Sequence, residues 1–121
     1  MASTDRPAKR GELWLVAFGG GRPGEPTKNR PAVVLSDQVM ASRSVFDLVV
    51  VVPLSATVAH STSRPLVAAT ADTGLDKDSV MVPRAIRGVT VTRLQKRLGM
   101  VNAGTLDKLD RILVALLGLS C

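Results

Sequence analysis

The residues best suited to chemistry lie in one short stretch, Gly24 to Ser36, reading G-E-P-T-K-N-R-P-A-V-V-L-S. Within six residues it sets a carboxylate, Glu25, an ammonium, Lys28, and a guanidinium, Arg30. A guanidinium is planar, stays charged at any working pH and can hold a phosphate through two parallel hydrogen bonds. A neighbouring carboxylate can take up a proton or orient the arginine. From Pro31 the sequence turns apolar at once, as a buried strand requires. The charged triplet is therefore expected on a polar loop at the mouth of a rigid element, where a site that needs exact placement is best built.

The elements that must hold this loop follow from the apolar pattern. E-L-W-L-V-A-F after Gly11 is apolar on both faces and predicts a strand covered on both sides, with Trp14 in the core. G-G-G-R-P-G-E-P-T-K-N-R holds four Gly and two Pro in twelve residues and reads as a loop, long for a hairpin. P-A-V-V-L-S is the second strand. V-F-D-L-V-V-V-V-P-L is the most β-branched run and predicts a central strand. Pro53 lacks a ladder donor, so pairing is expected to stop there and to present Leu54, Ser55 and Ala56 as a turn. Further strands are read at P-L-V-A-A-T, S-V-M-V-P-R-A-I and K-R-L-G-M-V-N, with an acidic turn at A-D-T-G-L-D-K-D and a short helical turn near Val91 to Leu94.

The last element is a helix. Leu106, Leu109, Ile112, Leu113, Leu116 and Leu117 share one face, and Asn102 is the expected N-cap. The pattern predicts a mainly β chain, a small curved antiparallel sheet or barrel closed by a C-terminal helix. Residues 1–9 read as a flexible tail and 10–121 as a single domain.

With 45% hydrophobic but only 2% aromatic residues, the core must be aliphatic. Sixteen basic against ten acidic residues leave a net charge of +6, which suits a polyanionic partner such as nucleic acid, or a small acidic protein. The charge is concentrated: Arg84 to Arg97 carries five basic residues and no acidic one. The single cysteine, Cys121, cannot form an internal disulfide. The polar N-terminus has no signal-peptide pattern, and no apolar run approaches the roughly 20 residues of a membrane span. A soluble, cytoplasmic protein is expected.

R-G-E-L-W-L-V, G-E-P-T-K-N-R-P-A-V-V-L-S, V-V-V-V-P-L-S and K-R-L-G-M-V, followed by the Leu-rich helix, together resemble the MazF/PemK family of toxins from bacterial toxin–antitoxin pairs. The match runs from Arg10 to about Leu119 with the motifs in the family's order. The resemblance implies a small SH3-like β-barrel that forms a homodimer, with single-stranded RNA in a groove across it. It implies a sequence-selective endoribonuclease, independent of metal or other cofactor, acting on an mRNA, rRNA or tRNA strand and inhibiting translation. The substrate's own 2′-hydroxyl attacks, leaving a 2′,3′-cyclic phosphate and a 5′-hydroxyl, and a cognate antitoxin blocks the groove.

Carried over residue by residue, the family's catalytic arginine falls on Arg30, its loop glutamate on Glu25 and its threonine on Ser55. Ser55 keeps the hydroxyl and loses the methyl that stiffens it. Thr57 is the alternative if the register shifts by two. Arg22, Thr27, Lys28, Thr57, Arg84 and Arg87 are the expected RNA contacts. An Arg-x-Asp pair found in some relatives is replaced here by Ser79 and Met81. Since in-line attack builds charge on the non-bridging phosphate oxygens, Arg30 is expected to stabilise that charge rather than donate a proton. Glu25 either accepts the 2′-hydroxyl proton or orients Arg30. His60, the only histidine, cannot supply an acid–base pair within one chain.

Two other functions fit parts of the sequence. A toxin of the same fold could poison gyrase by protein contact, but the terminal L-G-L-S-C lacks the Trp and Gly-Ile-type residues that this would need. A non-enzymatic small-barrel nucleic-acid module would use the charge and not the triplet.

Overall fold

The computed structural model describes residues 8–19, 28–36, 48–57 and 59–120. These form seven strands, β1 (Glu12–Gly19), β2 (Lys28–Val34), β3 (Leu48–Ser55), β4 (Leu66–Val67), β5 (Ser79–Met81), β6 (Arg87–Thr90) and β7 (Leu94–Met100), and one helix, α1 (Ala103–Leu117). The sheet runs β4-β5-β3-β2-β1-β7, with β6 also paired to β3. All pairings are antiparallel, and the sheet curls into a half-barrel against α1.

The continuous apolar runs are explained by two cores, one on each face. Successive side chains on a strand point to opposite faces. Leu13, Val33, Val52 and Leu54 accordingly pack with Met81, Val101, Leu109 and Leu113 of one cluster. Val16, Ala32, Val34, Val49 and Val51 pack with Ala8 and Val89 of the other, which Trp14 and Phe18 flank. Helix α1 lays Leu109 and Leu113 on the first cluster, with Leu106 and Leu116 beside them. Leu117, assigned to the same face by periodicity, is exposed at the last turn. Asn102 caps the helix, its side chain accepting from the Thr105 N–H at 2.8 Å.

Several boundaries differ from the sequence reading. Strand β2 starts at Lys28 rather than Pro31, because Lys28, Asn29 and Arg30 pair with Gly19, Ala17 and Val16 of β1. Arg30 is thus a strand residue, not a loop residue. Pairing does not stop at Pro53 either: β3 continues to Ser55 by changing partner, from β2 to β5. P-L-V-A-A-T contributes only Leu66–Val67, and S-V-M-V-P-R-A-I breaks after Met81 into a 3-10 turn, Pro83–Ala85. Strand β6 carries no strand signal of its own in R-G-V-T; it exists because the first half of β3 offers it a ladder. The helical turn at Val91–Arg93 is where it was expected.

Candidate active site

The site opens where β2 and β3 part. Their register pairs Val34 with Val51, Val33 with Val52 and Ala32 with Pro53. Continued two residues further, it would set Arg30 opposite Ser55. The ladder stops short because Pro31 and Pro53 carry no N–H to donate, and because Leu54 and Ser55 turn aside to pair with Met81 and Val80 of β5. The Pro53 carbonyl is taken by the Val82 N–H at 2.9 Å. The gap between the diverging strands is a groove of about 570 Å³ lined by Arg30, Ser55 and Thr57.

Ser55 is 8% exposed and sits at the wall of this groove, whereas Arg30 is exposed to its opening. The Ser55 Oγ lies 3.2 Å from the Thr57 Oγ1 and accepts from the Thr57 N–H at 3.2 Å. The two hydroxyls that the sequence offered as alternatives therefore stand side by side. The arrangement sets a fixed positive charge and a hydroxyl pair around a space large enough for a phosphodiester, the donor set that charge developing on phosphate oxygens calls for.

The opposite wall comes from the segment that follows β4 and from β7. Gly74, Leu75, Asp76 and Lys77 line the groove there, with Ser79, Lys96 and Leu98. This wall is held by an unusually close approach of backbones. A Cβ on Gly74 would come within 2.0 Å of the Leu98 carbonyl oxygen, and one on Gly99 within 2.2 Å of the Asp72 carbonyl oxygen. The Met100 N–H donates to that same Asp72 oxygen at 2.9 Å, so the segment closes over the edge of β7. The Thr73 hydroxyl, donating to the Ala68 carbonyl at 2.8 Å, fixes the turn from within.

Of the remaining sequence candidates, Arg22, Glu25 and Thr27 lie outside the described residues. For Lys28 only the backbone, opposite Gly19, is described. Arg84 is exposed on the 3-10 turn, and Arg87 stacks over the Phe18 ring at 5.0 Å; neither lines the groove. His60 is exposed and also lies off the groove. Where some relatives carry Arg-x-Asp, Met81 is fully buried in the core and the Ser79 hydroxyl donates to the Lys77 carbonyl at 3.0 Å.

The basic run from Arg84 to Arg97 is largely occupied. Arg93 donates to the Ala17 carbonyl at 3.0 Å, and Arg97 to the Glu12 carboxylate at 2.8 Å. Elsewhere Arg10 pairs with Asp110, and Arg111 with Asp107 at 2.9 Å. Glu12 is buried, and burial alone would raise its pKa. The Lys9 N–H at 2.9 Å, Arg97, and the Trp14 indole at 3.0 Å more than offset this and hold it below the ordinary glutamate value. Lys96 is the member of the run that lines the groove, and no local pattern distinguishes it from its basic neighbours.

The chain is thus a small, mainly β domain, a curled half-barrel backed by one helix, with Arg30, Ser55 and Thr57 lining one groove. The comparisons with known proteins are consistent with one family. Residues 9–117 match the family described as PemK-like, MazF-like toxin of type II toxin–antitoxin system, and the chain belongs to that family. The endoribonuclease MazF9 of Mycobacterium tuberculosis is 32% identical over 108 residues, covering 87% of this chain and 92% of its own. The fold is also that of the MazE–MazF complex of Deinococcus radiodurans, with TM-score 0.79 at 23% identity, over 96% of this chain and 100% of that one. A mycobacterial endoribonuclease solved with its cognate antitoxin gives TM-score 0.72 at 21% identity, over 95% of this chain and 99% of the other.

Proposed function

We propose that this chain is a toxin that cuts single-stranded RNA within the groove between β2 and β3. The observation that carries the reading is the convergence of Arg30 with Ser55 and Thr57 at the split of those strands, in a member of this toxin family. Arg30 holds the scissile phosphate through its non-bridging oxygens, and the Ser55 hydroxyl donates to the same group. The 2′-oxygen of the preceding ribose attacks phosphorus, its proton leaves, and the 5′-oxygen departs and is protonated to a hydroxyl. A 2′,3′-cyclic phosphate remains on the other strand end. The chemistry asks for oriented donors and for no metal.

Glu25, on the segment joining β1 to β2, is the group proposed to take the 2′-hydroxyl proton or to orient Arg30. Arg22, Thr27, Lys28 and Thr57 are proposed RNA contacts, with Arg84 and Arg87 as outlying ones. A homodimer is part of this reading; Leu48 and Val50, exposed on the flank of β3, supply apolar surface that a second copy would cover. So is a cognate antitoxin whose acidic, extended segment occupies the groove. No helix among the described residues is long and apolar enough to cross a membrane, and the proposed place of action is the cytoplasm, where RNA is translated.

The test is incubation of the purified chain with a mixed RNA pool, with and without a chelator. New 5′-hydroxyl and cyclic-phosphate ends in both samples, absent with Arg30→Ala, support the reading. Intact RNA with trapped, cleaved DNA would point to gyrase poisoning. Binding without scission would leave a nucleic-acid module.

A further inference from the structure

We propose that Lys77 and Lys96 form a second phosphate subsite of the groove, gripping the RNA backbone beside the phosphodiester that Arg30 holds. The inference rests on the RNA-cleaving reading above, and it names which groups hold the strand.

Three cations from three different elements line this one concavity: Arg30 on β2, Lys77 before β5, and Lys96 on β7. None of them makes an ion pair with the described residues, whereas Arg10, Arg97 and Arg111 are all paired with carboxylates. Unpaired positive charge gathered in a cleft is poised for an anion from solution. Asp76 is the carboxylate among the described lining residues, and it pairs with neither lysine.

The spacing separates the subsites. Lys96 pairs with Leu15 of β1, and Leu15 pairs on its other side with Pro31, the neighbour of Arg30. Two strand spacings, about 10 Å, thus lie between the two backbones. Lys96 stands across β1 from Arg30, at a distance that separates its charge from the one at Arg30.

Lys77 is held in place on both sides. Its carbonyl accepts the Ser79 hydroxyl at 3.0 Å, and the next residue, Asp78, accepts from the Ala69 N–H at 2.7 Å. Upstream, the Gly74 and Gly99 crossing pins the segment to β7. An ammonium on a fixed backbone loses less freedom on binding than one on a free loop. Lysine is a point charge that meets phosphate without reading the base, so the subsite contributes affinity rather than sequence choice.

The experiment uses the full chain with Lys77→Ala, Lys96→Ala, the double variant, and Lys96→Arg. Binding is read by anisotropy on a labelled mixed-sequence 2′-O-methyl RNA, which has no free 2′-hydroxyl to react, across a salt series. Cleavage kinetics are read on unmodified RNA. Each alanine variant is expected to bind about fivefold more weakly, the effect of one partly exposed charge contact of about 1 kcal/mol. Each should also flatten the log–log salt slope by about 0.7 to 1. KM rises, kcat holds, and Lys96→Arg keeps wild-type affinity.

Unchanged affinity and slope in both single variants would overturn the subsite. A fall in kcat at constant KM would also overturn it, since the lysines would then act on the reacting phosphate. Wild-type protein that binds the 2′-O-methyl RNA yet cuts no unmodified RNA would refute the enzymatic reading and leave the subsite standing.

Discussion

Adding one carbon at Gly99 should dismantle a wall of the groove. A Cβ there would lie 2.2 Å from the Asp72 carbonyl oxygen and 2.6 Å from the Thr73 carbonyl carbon and oxygen. All three are backbone atoms, so no side chain can swing clear; β7 and the 72–74 segment must separate by about 1 Å to restore ordinary contact. Forced overpacking of this kind costs about 1–3 kcal/mol. The Met100 N–H to Asp72 bond, 2.9 Å, would be lost as well, which adds about 0.5–1.5 kcal/mol. Gly99→Ala is therefore expected to destabilise the fold by about 1.5–4.5 kcal/mol in urea unfolding. Asp76 and Lys77 hang from the displaced segment, so the surviving folded enzyme should show a raised KM for RNA with kcat much less affected. A stability within about 0.5 kcal/mol of wild type, the range of an ordinary surface change, would refute the proposed closure of that wall over β7.

Two further outcomes follow from other parts of the structure. Ser55→Ala removes a hydroxyl from the groove and leaves the Thr57 N–H without its acceptor; kcat should fall about tenfold to a hundredfold, less than for a charged donor. Ser55→Thr should retain activity, and both are measured on saturating RNA. Glu12 has a folded pKa below its unfolded one, so its contribution to stability is complete above the ordinary glutamate range and is lost as pH falls through the lowered value. Acid titration of unfolding should show this loss, and Glu12→Gln should be less stable at neutral pH and flatter in acid; a variant that matches wild type at both ends would remove Glu12 from that role.

How much of this was legible in the sequence depends on the range of the cause. The apolar runs of β1 to β3 and the leucine face of α1 are local signals, and they give the elements correctly. The N-cap at Asn102 is equally local, being set by one side chain and one N–H three residues on. What escaped is set by pairing across the chain. R-G-V-T becomes β6 because β3 has an unused edge, and Lys28 to Arg30 become strand because β1 extends to Gly19. Pro53 signalled a break, yet its effect is an exchange of partners, visible only when β5 is in place. That exchange is also what opens the groove between Ser55 and Arg30, 25 residues apart in the chain. The lysines of the far wall carry no local mark at all: nothing in L-Q-K-R separates Lys96, which lines the groove, from Arg97, which Glu12 holds.

The central claim is that the Arg30 guanidinium stabilises a phosphate being cut in this groove. It is tested most directly by the single-turnover cleavage rate of Arg30→Ala on a defined RNA, with circular dichroism and urea unfolding matched to wild type. A drop of about 100- to 1,000-fold is predicted, the cost of removing one donor aimed at developing oxyanion charge. An undiminished rate in a folded Arg30→Ala protein would contradict it.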